Sequence, residues 1–497
     1  MKPGRQRQIV TAALLLGMFL AALEATAVGT AMPTAVGELG GVARYSWVFS
    51  AYLLTSTTTV PLYGKLADLY GRRVIYIVAV ALFLGGSALS GLARTFDQLI
   101  LFRAVQGLGA GGVMPVALTL VGDIFTLEER GRMQGLFSSV WAISSLVGPA
   151  AGGLITDLLS WRWIFYLNIP FGIASVVILI LFLEEEKDSR QSHKLDILGT
   201  TLLTVAITLL LVGLLEGSEN WGMLDGRTLG LLAASLAGLG LFLWQEHRAP
   251  EPMLPPDLFR APVIAVASAG NALIGALLFT ASAFVPMYAQ GVLGGTAVDA
   301  GLTLAPVSIG WPIASTLAGR LLLRVGYRPL TILGGGLALS GALLLVVLGG
   351  AYGRGGLMIA MLVCGTGLGF MSTPFIVSVQ NAVPWRRRGV ATSSQQFFRT
   401  IGGAVAVAAF GALLNARLAA TTGGRVSPNA ALDPALRETL SPADLDTLVT
   451  GLGSSLHAVN LGFAGVALVG LLVALLFPAG SAEQLAHDPE RDGAGPA

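Results

Sequence analysis

Charge is scarce in this sequence: Asp, Glu, Lys and Arg make up 12% of its 497 residues, about half the share of a soluble globular domain. Water is therefore not its main solvent, and 54% hydrophobic residues with a mean hydropathy of +0.74 point to lipid. Cysteine is nearly absent. Cys364 alone excludes an intramolecular disulfide, a cysteine zinc site and an iron–sulfur cluster. The four histidines, His193, His247, His457 and His487, lack a His or Cys partner at ligand spacing, so no metal is expected. There is no GxxxxGK[ST] loop, which disfavours direct drive by ATP, and no cofactor is expected. A net charge of +2 points to neither nucleic acid nor an acidic partner.

What the chain has in abundance is apolar runs of the length a bilayer demands, about 20 residues per helix. Fourteen are expected, at residues 9–32, 47–66, 74–92, 99–121, 133–155, 163–183, 195–215, 228–245, 263–288, 300–317, 330–351, 356–379, 390–414 and 457–477. The first follows a basic start but is too long for a signal-peptide core, so it reads as a retained helix. With the N-terminus inside, 20 Lys/Arg fall on the cytoplasmic side, 8 outside and 2 within the membrane. That asymmetry places both termini in the cytoplasm. The stretch 415–455 then lies outside, where Asp433-Pro434 and Ser441-Pro442 read as capped starts of short surface helices.

The chain also repeats itself. Gly64-Lys65-Leu66 with Gly71-Arg72-Arg73 matches Gly319-Arg320-Leu321 with Gly326-Tyr327-Arg328 at an offset of 255 (64 to 319). Arg130-Gly131 matches Arg388-Gly389 at an offset of 258 (130 to 388). Two halves of like topology follow, as in secondary transporters. The expected organisation is a six-helix bundle over 1–194, two inserted helices and a linker over 195–260, and a second bundle over 261–497. The second bundle carries the external loop 415–455 and a short cytoplasmic tail.

Several segments carry chemistry. The turn from Gly64 to Arg73 is short and charged, and Asp68 stands where it can pair with Arg72 or Arg73 across a helix end. It is either a topogenic turn or a breakable latch that includes Gly64, Asp68, Gly71, Arg72, Arg73 and Asp123. Glu24 lies about 22 Å along its helix from Ile9 at 1.5 Å per residue. An ionised carboxylate at that depth is costly, which makes protonation a usable switch; the alternative is a structural Glu held by Thr26 or a neighbouring helix. Arg103 lies about 9 Å inside the outer end of its helix, and Arg399 about 15 Å from the cytoplasmic end of the thirteenth. Each must face the interior or find a partner. Gly148-Pro149 and Gly152-Gly153 leave a smooth groove for packing or bending. Met114, Phe137, Trp141, Asn271, Met287, Gln395, Phe398 and Arg399 are candidates for the lining of a cavity. Asp299 reads as a solvated helix start, and the run Glu184-Glu185-Glu186 as a solvated connector.

These segments resemble the major facilitator superfamily. The decapeptide Gly64-Lys65-Leu66-Ala67-Asp68-Leu69-Tyr70-Gly71-Arg72-Arg73 looks like its signature loop, and Leu101 to Gly111 resembles the motif whose arginine, here Arg103, is tied to proton transfer. The fifth helix, with Gly135, Ser144, Gly148-Pro149 and Gly152-Gly153, resembles the antiporter motif, although Ser144 replaces a glycine. Leu23 to Pro33 and Trp161 to Pro170 look like hallmarks of the 14-helix drug:proton antiporter family of multidrug exporters, in which the place of Glu24 is usually an aspartate. The resemblance implies an all-α membrane protein of two pseudo-symmetric six-helix bundles plus two inserted helices. It also implies a monomer in the cell (inner, cytoplasmic) membrane, and a transporter rather than an enzyme. The function so implied is proton-coupled export of amphipathic or cationic drugs by alternating access, with Glu24 and Arg103 coupling to protons and only substrate, protons and lipid as partners. A dedicated exporter of one endogenous metabolite or lipid would share every motif. A membrane transferase or a transport-like sensor lacks support, since neither a loop cluster of acids nor a signalling domain is evident. An envelope partner is not specified.

Overall fold

The computed structural model describes residues 3–39, 45–183, 196–217, 221–250, 252–295, 297–351, 353–422 and 441–480. The acidic run at Glu184, the Asp433-Pro434 start and the tail after 480 lie outside them, as do the side chains of Thr26 and Pro149. Among the described residues the chain is helical and contains no strand. In lipid this is what the backbone requires, since only helices and closed barrels pair every N–H and C=O internally.

The long helices are α1 (Pro3–Leu39), α2 (Tyr45–Tyr70), α3 (Arg72–Gly91), α4 (Phe96–Ile124), α5 (Leu127–Leu158), α6 (Arg162–Phe182), α7 (Ile197–Glu216) and α8 (Gly226–Glu246). They continue with α9 (Pro262–Met287), α10 (Ala297–Val325), α11 (Tyr327–Ala351), α12 (Gly353–Asn381), α13 (Arg388–Thr422) and α14 (Pro442–Leu475). Among the described residues, twelve contain a stretch long and apolar enough to cross a bilayer. Outside that set, α2 is interrupted by Thr55, Thr57, Thr58, Thr59, Lys65 and Asp68.

The structure corrects the expected loop over 415–455. Helix α13 runs on to Thr422, and Ser441 accepts from the Asp444 N–H to cap the long α14, not a short surface helix. The reason is packing: Leu448, Leu452, Leu456 and Val459 repeat at helical spacing and bury against Phe284, Leu414 and Leu418.

Thr95 caps α4 and a Thr126–Glu129 capping box starts α5. The α2–α3 and α10–α11 turns reverse at Gly71 (φ 95°) and Gly326 (φ 83°), where a side chain would be strained. These two glycines hold corresponding places in the sequence repeat. Both turns lie at the same end of the molecule as the Arg386-Arg387-Arg388 segment, and this is called the basic end below.

One apolar core joins α1, α3, α4, α5 and α6 and a larger one joins α9 to α14. The two meet where α2 packs on α13 and α5 packs on α10. Helices α7 and α8 pack on each other and reach α2 and α13, with Leu203, Ile207 and Leu211 joining the larger core.

Candidate functional site

The first cluster is buried deep within α1, α4 and α6. Glu24 on α1 is 1% exposed and Arg103 on α4 is 2% exposed, and the Arg103 guanidinium pairs with the Glu24 carboxylate. Arg103 Nη1 also donates to Gln106 Oε1 at 2.7 Å, and its guanidinium lies 4.2 Å from the centre of the Tyr52 ring. The other carboxylate oxygen of Glu24 accepts from Asn168 Nδ2 at 2.6 Å, and Asn168 Nδ2 also donates to Ser87 Oγ at 3.0 Å. Ser87 in turn donates to the Phe165 carbonyl. The carboxylate is thus held by neighbouring helices α4 and α6. A buried charge is tolerable only when paired and hydrogen-bonded in this way.

Near the far end, Glu38 of α1 accepts from Trp161 Nε1 at 2.9 Å and Arg162 Nη1 at 2.8 Å, tying α1 to the start of α6. The hydrogen bonds from Trp161 and Arg162 hold its carboxyl below the usual glutamate range.

The second cluster ties α2, α3 and α4 to α13 at the basic end. Asp68 at the end of α2 accepts from the backbone N–H groups of Gly389 (3.0 Å) and Val390 (2.9 Å), the opening turn of α13, where the helix dipole favours an anion. Arg72 Nη2 donates to Asp68 Oδ1 at 3.0 Å and to the Trp385 carbonyl at 2.6 Å, and its guanidinium stacks 3.8 Å from the Trp385 ring. Asp123 at the end of α4 then bridges Arg72 Nε (2.8 Å) and Arg388 Nη1 (2.9 Å). Gly64 completes the contact, since a Cβ there would collide with Ser393 and the Gly389 carbonyl. Of the expected latch residues Arg73 stands apart: it donates to the Ile180 carbonyl of α6 at 2.6 Å and braces its own half.

Arg388, Trp385 and a matching set across the seal were not singled out as latch residues by sequence reasoning. Arg130 of α5 donates to Asn381 Oδ1, and Asn381 Nδ2 donates to Tyr327 Oη at 2.9 Å. Asn381 follows Asp123 by 258 positions and Tyr327 follows Arg72 by 255. The repeat offsets of 255 and 258 are the signal by which this second set is recognisable in the sequence.

The sequence matches the Major Facilitator Superfamily over residues 14–407. The chain belongs to the major facilitator superfamily. It is 37% identical over 418 residues to the multidrug transporter protein MdtP of Bacillus subtilis, covering 84% of this chain and 77% of that protein. Multidrug resistance protein 3 of Bacillus subtilis is 34% identical, with 81% and 79% covered. Multidrug resistance protein Stp of Mycobacterium tuberculosis is 33% identical, with 87% and 80% covered. The crystal structure of the human organic anion transporter MFSD10 matches with a TM-score of 0.59 at 14% identity, over 95% of this chain and 100% of that one. That likeness is of fold alone. The protein is thus a multi-pass membrane transporter of this superfamily, with relatives named as multidrug transporter or multidrug resistance proteins.

In this facilitator the antiporter-like stretch of α5 has Gly148 and Gly152 buried, while a Cβ at Gly153 would meet open space. The cavity candidates divide. Phe137, 1% exposed, is a packed core side chain of the α1–α6 unit, and Met287 belongs to the apolar cluster around Phe284, Leu414 and Leu448. Asn271 Nδ2 donates to Gln395 Oε1 at 3.0 Å, which ties α9 to α13, and Phe398 packs edge-on against Phe259. Trp141 is half-buried. Arg399 and Met114 meet across the interface between halves, with Nη2 3.9 Å from Sδ. Asp299, in the first turn of α10, pairs with the part-exposed Arg354 at 2.6 Å.

Proposed function

We propose that this facilitator is a proton-coupled antiporter that exports amphipathic compounds, cations among them, from the cell by alternating access. In this reading all fourteen long helices cross the cell membrane, with both termini cytoplasmic. The 1–194 and 261–497 bundles rock about a central path, with the 195–260 pair beside them. The basic end is then the cytoplasmic end, in accord with the bias of Lys and Arg. The proton gradient supplies the work, without a cofactor, and a monomer suffices.

The observation that carries the proposal is Glu24, a carboxylate deep in the membrane whose counter-charge is a separate side chain on another helix. Proton uptake at Glu24 removes the charge that holds Arg103 and loosens α1 from α4 and α6. Proton loss restores the pair. A cation competes with the proton for the same carboxylate, which couples the two fluxes in opposite directions. The names of the bacterial relatives weigh toward several substrates over one dedicated product.

The test is efflux of a fluorescent lipophilic cation from proteoliposomes under an imposed pH gradient. Gradient-driven efflux in the native chain that is lost in Glu24→Gln, with the protein still folded, is the expected result. Unchanged efflux in the variant would place the coupling elsewhere, and no response to the gradient in the native chain would end the antiport reading.

A further inference from the structure

Among the described residues, three charged side chains lie between the two ends of the bundle: Glu24, Arg103 and Arg399. Glu24 and Arg103 cancel each other. Arg399 is left over, so the interior carries one net positive charge. Its place is specific. It lies 11 residues into α13, about 16 Å from the start of that helix and about 14 Å beyond the Asp68–Val390 contact. Met114 is 9 residues, about 14 Å, from Asp123 on α4. Both therefore sit at one level inside the seal, Arg399 from one half and Met114 from the other.

The Glu24–Arg103 pair is farther along, since Arg103 is 11 residues, about 16 Å, beyond Met114 on α4.

The surroundings of Arg399 do not neutralise it. A guanidinium has five N–H donors and demands acceptors, most strongly a carboxylate or phosphate. Among the described residues the recorded polar neighbour of its guanidinium is the thioether of Met114, a weak acceptor, and no carboxylate lies within ion-pair distance. The neighbouring amide of Gln395 is engaged, accepting from Asn271 and donating to Ser268. The side chain is half-buried and directed at the opposite half, not at lipid. A cation kept at this depth is costly and marks a ligand path by default. Water can solvate it when the path is empty; an anionic group on a ligand would bind it bidentately and in a drier place.

We infer that Arg399 is an anion subsite of the transport path, taking the carboxylate or sulfonate of an amphipathic organic acid or zwitterion, with Met114 supplying soft apolar contact beside it. The inference rests on the transporter reading but not on proton coupling. It adds to that reading a second subsite, with a charge preference opposite to that of Glu24.

The experiment measures binding of dansylglycine and of its neutral methyl ester to the full chain in nanodiscs at pH 7.5, with empty nanodiscs subtracted and no gradient imposed. The native chain is expected to bind the carboxylate more tightly than the ester. Arg399→Gln should lower that preference about tenfold or more, the loss expected for a charged hydrogen bond, and Arg399→Lys should keep part of it. Met114→Glu, which leaves Arg399 in place but gives it an internal anion, should lower the preference as well. A native chain that binds the ester as tightly as the carboxylate overturns the inference, and so does an unchanged preference in Arg399→Gln. Because each preference is a ratio within one preparation, partial unfolding does not imitate the effect. An absence of gradient-driven efflux would sink the antiport proposal without altering this ratio.

Discussion

Glu24 and Arg103 act as one unit, and this sets how substitutions there will combine. Arg103→Ala would leave the Glu24 carboxylate buried without its counter-charge, at a cost of about 3–5 kcal/mol. Adding Glu24→Gln to that variant removes the stranded charge, so the double variant is expected to be more stable than Arg103→Ala alone. Thermal unfolding of the three variants in detergent checks this, and simple additivity would mean that the pair is not coupled. Arg103→Lys should also lose function, because a single ammonium cannot serve Glu24 and Gln106 with the geometry of the guanidinium fork. Both members of the pair were legible in the sequence, as charges at depths where none is tolerated alone. Their partner Asn168 was not. It stands in a recognisable segment, Trp161 to Pro170, but lies 144 positions from Glu24, and an amide in a membrane helix does not reveal which side chain it will meet.

Helices carry the seal, and their closest approach is backbone to backbone. At Gly131 of α5 and Gly319 of α10 an added Cβ on either would run into the backbone of the other. One turn deeper, Gly135 lies as close to Thr316. The α5–α10 seam is thus the counterpart of the α2–α13 seam, where Gly64 meets Ser393 and Gly389. Gly131→Val places a branched side chain where backbone already stands, and overpacking of this kind costs about 1–3 kcal/mol. Under the proposed alternating access that cost falls on the sealed state alone, so the balance between sealed and open forms should shift about 5- to 150-fold toward open. Spin labels at Val74 and Val325, exposed positions on α3 and α10 in opposite halves, would report it as a longer distance at the basic end. An unchanged distance distribution would show that the seam has slack. The helices themselves were readable from hydropathy to within a few residues at most ends. The extension of α13 and the early start of α14 were not, because the 442–455 segment is held by the packing of Leu448 and Leu452 on Leu414 and Leu418 and lacks the continuous apolar run by which a membrane helix is found.

Across the whole molecule the two halves meet through two related sets of side chains that differ in charge. One set is Arg72, Asp123 and Arg388, with an ionised acid between two guanidinium groups; the related set is Tyr327, Asn381 and Arg130, with an amide in place of the acid. The repeat at offsets of 255 and 258 made two halves legible, but only the folded chain shows that Arg388 of the second copy completes the first set and Arg130 of the first copy completes the second. This exchange follows from a pseudo-twofold arrangement, in which α2 meets α13 as α10 meets α5. It makes the seal asymmetric, with one side held by ion pairs and the other by hydrogen bonds. Asn381→Asp would convert the second set into a copy of the first by giving Arg130 an anion in place of a neutral acceptor, and charged hydrogen bonds are roughly twice as strong. Under the proposed alternating access the sealed state should gain, with a larger short-distance population for labels at Val74 and Val325 and slower turnover, since each cycle would break the seal. Asp123→Asn should do the reverse, because Arg72 and Arg388 then face each other without an intervening charge. If Asn381→Asp instead enlarges the open population, the carboxylate is repelled by the acidic side of the seal more than it is held by Arg130. The neutral amide at 381 would then be what allows the two sets to coexist.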